Sequence, residues 1–222
     1  MNITEKYRGG NAIPDLEVVE FWKESLKDLT DVIITDHYSF PKNGKLFTDK
    51  FDEYIKASKL NNLKGLDTYE HRSFVAGTSQ TFDSFWMRNH DRRFRCFKGE
   101  FFYHKANWKK FHTWCYLEDE DILPDDAVVI SLPFSDYGME HPKMREILDE
   151  CERWGVPVLI DCAYYVIGEG INFDFTKYDC IEDITFSLSK GFHLSNRIRG
   201  GIRYTKKYYD DKKGLDESDL MN

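Results

Sequence analysis

The sequence predicts an α/β fold on a mostly parallel sheet, and three consecutive segments carry that prediction. Ala127-Val128-Val129-Ile130-Ser131-Leu132 is a continuous apolar run of strand length, the kind buried on both faces. Met144, Ile147, Leu148, Cys151 and Trp154 follow at offsets of 0, 3, 4, 7 and 10, a stripe with helical period. Val156-Pro157-Val158-Leu159-Ile160 is a second apolar run, ending at Asp161. Strand, helix and strand with short joints form a βαβ unit, which requires parallel pairing. Pro142 suits the first turn of the helix and Gly155 its C-terminus.

The remaining elements follow in chain order. After Pro14 and Asp15, Val19, Trp22, Leu26 and Leu29 share one face of a helix over 15–29. Val32-Ile33-Ile34 is a short apolar run, and Ser39-Phe40-Pro41-Lys42-Asn43-Gly44 reads as a turn by composition. A second helix is expected over 45–60, with Phe47, Phe51, Tyr54 and Ile55 as its buried side. Ile184-Thr185-Phe186-Ser187-Leu188 is a third strand, and Gly201-Ile202-Arg203-Tyr204 a fourth. The expected organisation is a helical segment over 1–70, an α/β domain over 71–204 and a charged tail over 205–222.

Length and composition narrow the functional classes. The 222 residues carry 31 Lys and Arg against 39 Asp and Glu, a net charge of -8. An acidic chain without a basic block argues against a nucleic-acid partner. No run of ~20 apolar residues predicts a membrane span. The opening residues MNITEKYRGG carry charges where a signal peptide has an apolar run, so the expected location is cytoplasmic. Five cysteines without a CxxC pair suit a reducing compartment, and no histidine spacing suggests a metal site. The high aromatic content, 16%, is read mainly as core.

Parallel sheets bind ligands beyond the carboxyl ends of their strands. Asp161 and Lys190 fall at two such ends and bring a carboxylate and an amine to one rim. Val75-Ala76-Gly77-Thr78-Ser79-Gln80 offers a strand-like entry, a glycine turn and two hydroxyls before the helix-like TFDSFW, a cradle suited to phosphate.

Asp161-Cys162-Ala163-Tyr164 and Ser187-Leu188-Ser189-Lys190, with Lys190 29 positions after Asp161, resemble the fold-type-I pyridoxal-phosphate enzymes of the class I/II aminotransferase group. The likeness covers roughly residues 70–204. It implies a three-layer sandwich, like the large domain of those enzymes. It also implies roles. Lys190 forms the Schiff base with pyridoxal 5′-phosphate and moves the substrate's α-proton, Asp161 pairs with the ring N–H, and Tyr164 donates to the phenolic oxygen. Gly77, Thr78, Ser79, Ser187 and Ser189 bind the phosphate together with Arg197 or Arg199, of which Arg199 is favoured because Arg199-Gly200-Gly201 precedes a strand. Phe101, with Phe102 and Tyr103 nearby, is the candidate for stacking on the ring, while His104, Trp108 and His112 are read as surface or core.

This sequence departs from the family twice. Where the family carries N-P-x-N-P-T-G, it reads Pro133-Phe134-Ser135-Asp136-Tyr137-Gly138, placing Ser135 at the position of the asparagine that binds the phenolic oxygen. Where a small C-terminal domain normally begins, it reads Tyr208-Tyr209-Asp210-Asp211-Lys212-Lys213. The resemblance implies an aminotransferase acting on an amino donor and a keto acceptor, as a homodimer. A lyase, decarboxylase or acyltransferase on the same fold is one alternative, a truncated and catalytically silent partner subunit another.

Overall fold

The computed structural model describes residues 16–25, 40–108, 113–192 and 199–209. The apolar run at 32–34, Leu26, Leu29, His112, Arg197 and the tail from 210 lie outside them. Among the described residues, no helix is long and apolar enough to cross a membrane.

The chain is mixed α/β with a mostly parallel central sheet. Among the described residues two helices lead, α1 (Leu16–Ser25) and α2 (Phe40–Lys56), followed by β1 (Asn62–Lys64), β2 (His71–Val75) and α3 (Thr78–Arg88). Next come β3 (Arg93–Cys96), α4 (Phe102–Trp108), β4 (Trp114–Tyr116), β5 (Asp126–Ser131) and α5 (Met144–Trp154). The last are β6 (Val158–Cys162), β7 (Asn172–Asp174), β8 (Ile181–Ser187), the helical turn α6 (Leu188–Gly191) and β9 (Gly201–Thr205). Seven strands form the main sheet in the order β2-β9-β8-β6-β5-β3-β4, and β1 pairs with β7 in a separate two-stranded sheet. Within the main sheet, only β9 runs antiparallel to its neighbours among the described strands.

Alternation along the central strands sorts their side chains into two cores. Val128, Ile130, Val158 and Ile160 join one cluster with Phe51 and Ile55 of α2 and Met144, Leu148 and Cys151 of α5. Ala127, Val129 and Leu159 join the other, with Phe82, Phe85 and Trp86 of α3. Helices therefore cover both faces, which gives three layers and explains why β5 and β6 are apolar at successive positions. Each buried aliphatic side chain contributes about 1.5–3 kcal/mol.

Three expectations need correction. Residues 40–44 are the first turns of α2, not a separate turn; a proline close to a helix start is tolerated because the first N–H groups have no intrahelical acceptor. On α2, Phe51 and Ile55 are buried but Phe47 and Tyr54 are exposed. At about 100° per residue, Thr48, Phe51 and Ile55 centre the buried stripe and the other two flank it. Trp154 is also exposed, at the margin of its stripe in the last turn of α5. Gly155 closes that helix in the left-handed conformation at φ +63°, as expected.

Candidate active site

The same alternation builds a polar floor at one end of the sheet. Ser131 lies on the α3 face at the end of β5, directly beside Asp161 of β6, which in turn pairs with Thr185 of β8. Odd-numbered positions on β5 and β6 point toward α3, so Ser131 and Asp161 share that side with Val129 and Leu159. Thr185 Oγ1 meets Thr81 Oγ1 of α3 at 3.0 Å. The carboxyl ends of three parallel strands thus present Ser131, Asp161 and Thr185 under the first turns of one helix.

The turn before that helix takes the form the sequence predicts. Gly77 follows β2, has φ +82°, and caps α3. A side chain at that φ would be strained, so the position favours glycine. Thr78 and Ser79 open the helix, where the first N–H groups point out of the helix end. Arg199 arrives alongside: a methyl group on Gly77 would stand 3.5 Å from Arg199 Cβ. From β8, Ser187 caps α6 and accepts from the Ser189 N–H at 3.2 Å, while the Gly200 N–H donates to Ser189 Oγ at 3.5 Å. The structure therefore brings Gly77, Thr78, Ser79 and Arg199 to one corner, and Ser187 and Ser189 to the loop leading into Arg199.

Across the rim, Lys190 Nζ lies 5.1 Å from the centroid of the Tyr164 ring. Asp161 is almost wholly buried; its Oδ1 accepts the Ala163 N–H at 3.0 Å. Burial, aided by the nearby Glu100 carboxylate, pushes its proton affinity up to about pKa 8, against the opposing pull of the Ala163 N–H and the Lys190 charge. Phe101 is partly exposed and lines a cavity of ≈ 740 Å³ together with Ser135 and Tyr164.

Two residues outside the predicted site converge on this centre: Glu100, and His104, which the sequence reads only as surface or core. His104, on α4, is completely buried, with Nε2 4.0 Å from Asp161 Oδ2 and neither ring nitrogen hydrogen-bonded. Its ring packs on Phe82 at 4.5 Å, and burial lowers its pKa to about 3, so it is neutral. Glu100 accepts the Ser131 and Phe101 N–H groups, each at 2.9 Å, and the Ser131 hydroxyl. The Ser135 hydroxyl donates to it across 3.4 Å. Burial raises the Glu100 pKa and those donors oppose the rise. One signal in the sequence could have flagged Glu100: an acid set directly before the aromatic run Phe101-Phe102-Tyr103.

No protein-family model and no curated protein matches the chain, whereas solved structures do. The histidinol-phosphate aminotransferase of Clostridium acetobutylicum is similar over 83% of this chain, with 17% identity and a TM-score of 0.56. The L-threonine-O-3-phosphate decarboxylase of Porphyromonas gingivalis is similar over 88%, with 12% identity and a TM-score of 0.60. This chain shares their fold. It spans 57% and 60% of the lengths of those two proteins, and at such identities the likeness concerns architecture.

Proposed function

We propose that this chain binds pyridoxal 5′-phosphate and serves an aminotransferase, moving an amino group between an amine or amino acid and a keto acceptor. The observation that carries the reading is the convergence at one rim of Asp161, Tyr164 and Lys190, with the Gly77 turn and Arg199 at its far corner. The residues suit the group: a helix start and a guanidinium for a phosphate, and a desolvated carboxyl for a protonated ring nitrogen.

When bound, pyridoxal phosphate supplies an electron sink for charge developing at a substrate carbon. The chain's own residues do the rest. Gly77, Thr78 and Ser79 offer N–H groups and hydroxyls to the phosphate and Arg199 offers a positive charge. Asp161 holds a proton at the ring nitrogen: a carboxyl whose burial disfavours ionisation ionises readily once a cation is placed against it. Tyr164 and Ser135 would offer hydroxyls to the group, and Phe101 would offer it an apolar face. Lys190 would hold the group, and its amine would be placed to take and return a proton.

The same reading extends to a homodimer, testable by light scattering. The decisive functional test combines two assays. Asp161→Ala is expected to weaken pyridoxal phosphate binding, measured by equilibrium dialysis, more than tenfold, the loss of a charge-assisted contact worth about 1.5–3 kcal/mol. Incubation with amine donors and a 2-keto acid then separates the reactions: a new amino acid supports amino transfer, and released carbon dioxide without it contradicts that part of the reading.

A further inference from the structure

The cavity beside Tyr164 has a composition that speaks to the substrate, and the selectivity inferred from it rests on the proposed binding of pyridoxal phosphate. It has a volume of ≈ 740 Å³, within the ordinary range for small-molecule sites. Its walls come from four parts of the chain: Leu60 beyond α2, Phe101 and Phe102 before and on α4, Pro133 and Phe134 beyond β5, and Val166 and Ile167 beyond β6. Several of these are large apolar side chains left in contact with solvent; Phe102 is 68% and Ile167 58% exposed. Scattered exposed apolar residues need no explanation, but their convergence on a concave site marks a binding surface.

The described lining of the cavity offers acids and no bases. Glu100 and Glu169 are the ionisable carboxylates among its described lining, and that lining includes no Lys, Arg or His. Glu100 is tied down by Ser131 and Phe101, so it cannot swing away from an incoming anion. An anionic group entering here would lose its hydration and meet no cation among the described lining, which is costly. An apolar chain would instead cover exposed rings. The cavity is continuous with the chemistry through Tyr164, which lines it and carries Lys190 Nζ over its ring at 5.1 Å.

We infer that this cavity receives the tail of the amine substrate and selects an uncharged, apolar tail, aromatic rings above all, against tails ending in phosphate or carboxylate. The histidinol-phosphate and threonine-phosphate enzymes that share the fold therefore do not foreshadow the substrate of this chain. Phe102 and Ile167 would grip the tail, the exposed Glu169 would disfavour anions, and no cation of the described lining would hold them.

Two primary amines that differ only in their tails test this: 2-phenylethylamine and O-phosphoethanolamine. Binding of each is measured by calorimetry on the full chain, with and without added pyridoxal phosphate. The expected result is a preference for 2-phenylethylamine of about tenfold or more, equivalent to about 1.4 kcal/mol. Phe102→Ala should cut that preference severalfold, and Phe102→Lys should shift it toward O-phosphoethanolamine; the side chain is exposed, and circular dichroism confirms an intact fold in each variant. Equal binding, tighter binding of the phosphorylated amine, no binding of either amine, or an unaltered preference in both variants would overturn the inference. Borohydride trapping of pyridoxal phosphate on Lys190, read by mass spectrometry, keeps the two ideas apart. Trapping without tail preference sinks the selectivity alone. Preference dependent on Phe102 without trapping sinks the cofactor reading and leaves the pocket standing.

Discussion

Asp126 and Asp161 are buried carboxylates on neighbouring parallel strands, one at the start of β5 and one near the end of β6, and their surroundings are opposite. Asp126 is saturated: Arg93 Nε lies 2.6 Å from one oxygen, while Arg95 Nη1 at 2.5 Å and the Leu123 N–H at 2.9 Å reach the other. Arg95 is itself wholly buried and also donates to the Asp121, Cys115, Tyr116 and Glu120 carbonyls. Asp161 has one N–H donor, a neutral imidazole at 4.0 Å and a second carboxylate nearby. A fold secures the first kind of carboxylate with every donor it needs. The second is left short of donors, which is the usual mark of a group kept for a ligand.

The contrast can be broken most forcefully at Asp126. Asp126→Asn should cost roughly 3–5 kcal/mol in denaturant unfolding, because it strands the buried Arg95 charge. Asp161→Asn at pH 8 should cost nothing or stabilise the cofactor-free chain. A large loss there would mean that Asp161 is structural after all.

A pH series sharpens the same point. The Asp161 carboxyl has its ordinary pKa of 3.8 in the unfolded chain and holds its proton up to about 8 when folded. Between those values the folded chain binds more protons, so its stability falls as pH rises. The fall approaches about 1.4 kcal/mol per pH unit for a full proton, and the penalty is absent below pH 4. Comparing wild type with Asp161→Asn from pH 4 to 8 isolates this contribution. Parallel curves would contradict it.

Arg199→Gln should weaken pyridoxal phosphate binding by roughly 10- to 100-fold with little change in stability, as expected for an exposed guanidinium that meets a phosphate. The smallest effect is expected at His104. Replacing it with Phe removes two unsatisfied buried nitrogens and should stabilise the fold by about 1 kcal/mol. Weaker cofactor binding in that stabilised variant would show that His104 positions Asp161.

The frame of the molecule was legible because it rests on period and punctuation. The apolar runs around 128 and 158, the stripe from Met144 to Cys151 and the Gly77 turn all appear where their patterns put them. Two things escaped that reading. The starting turn of α2 carries Pro41, Asn43 and Gly44, which signal a turn by composition, yet the backbone there is helical. Glu100 and His104 belong to no periodic pattern; their importance comes from burial against strands that lie 31 and 57 positions further along the chain, at Ser131 and Asp161. Single residues defined by such long-range contacts leave no local trace. Asp161 and Lys190 follow instead from strand ends, whereas Tyr164 enters only through the resemblance, and the structure sets its ring beside Lys190.

The most direct measurement is the visible absorbance spectrum of the purified chain after adding pyridoxal phosphate, with Lys190→Ala beside it. A band that appears in the wild type, bleaches with borohydride and is missing from the variant is the predicted result. A folded wild-type chain without such a band, or a variant that shows the same one, would contradict the assignment of Lys190 as the anchor.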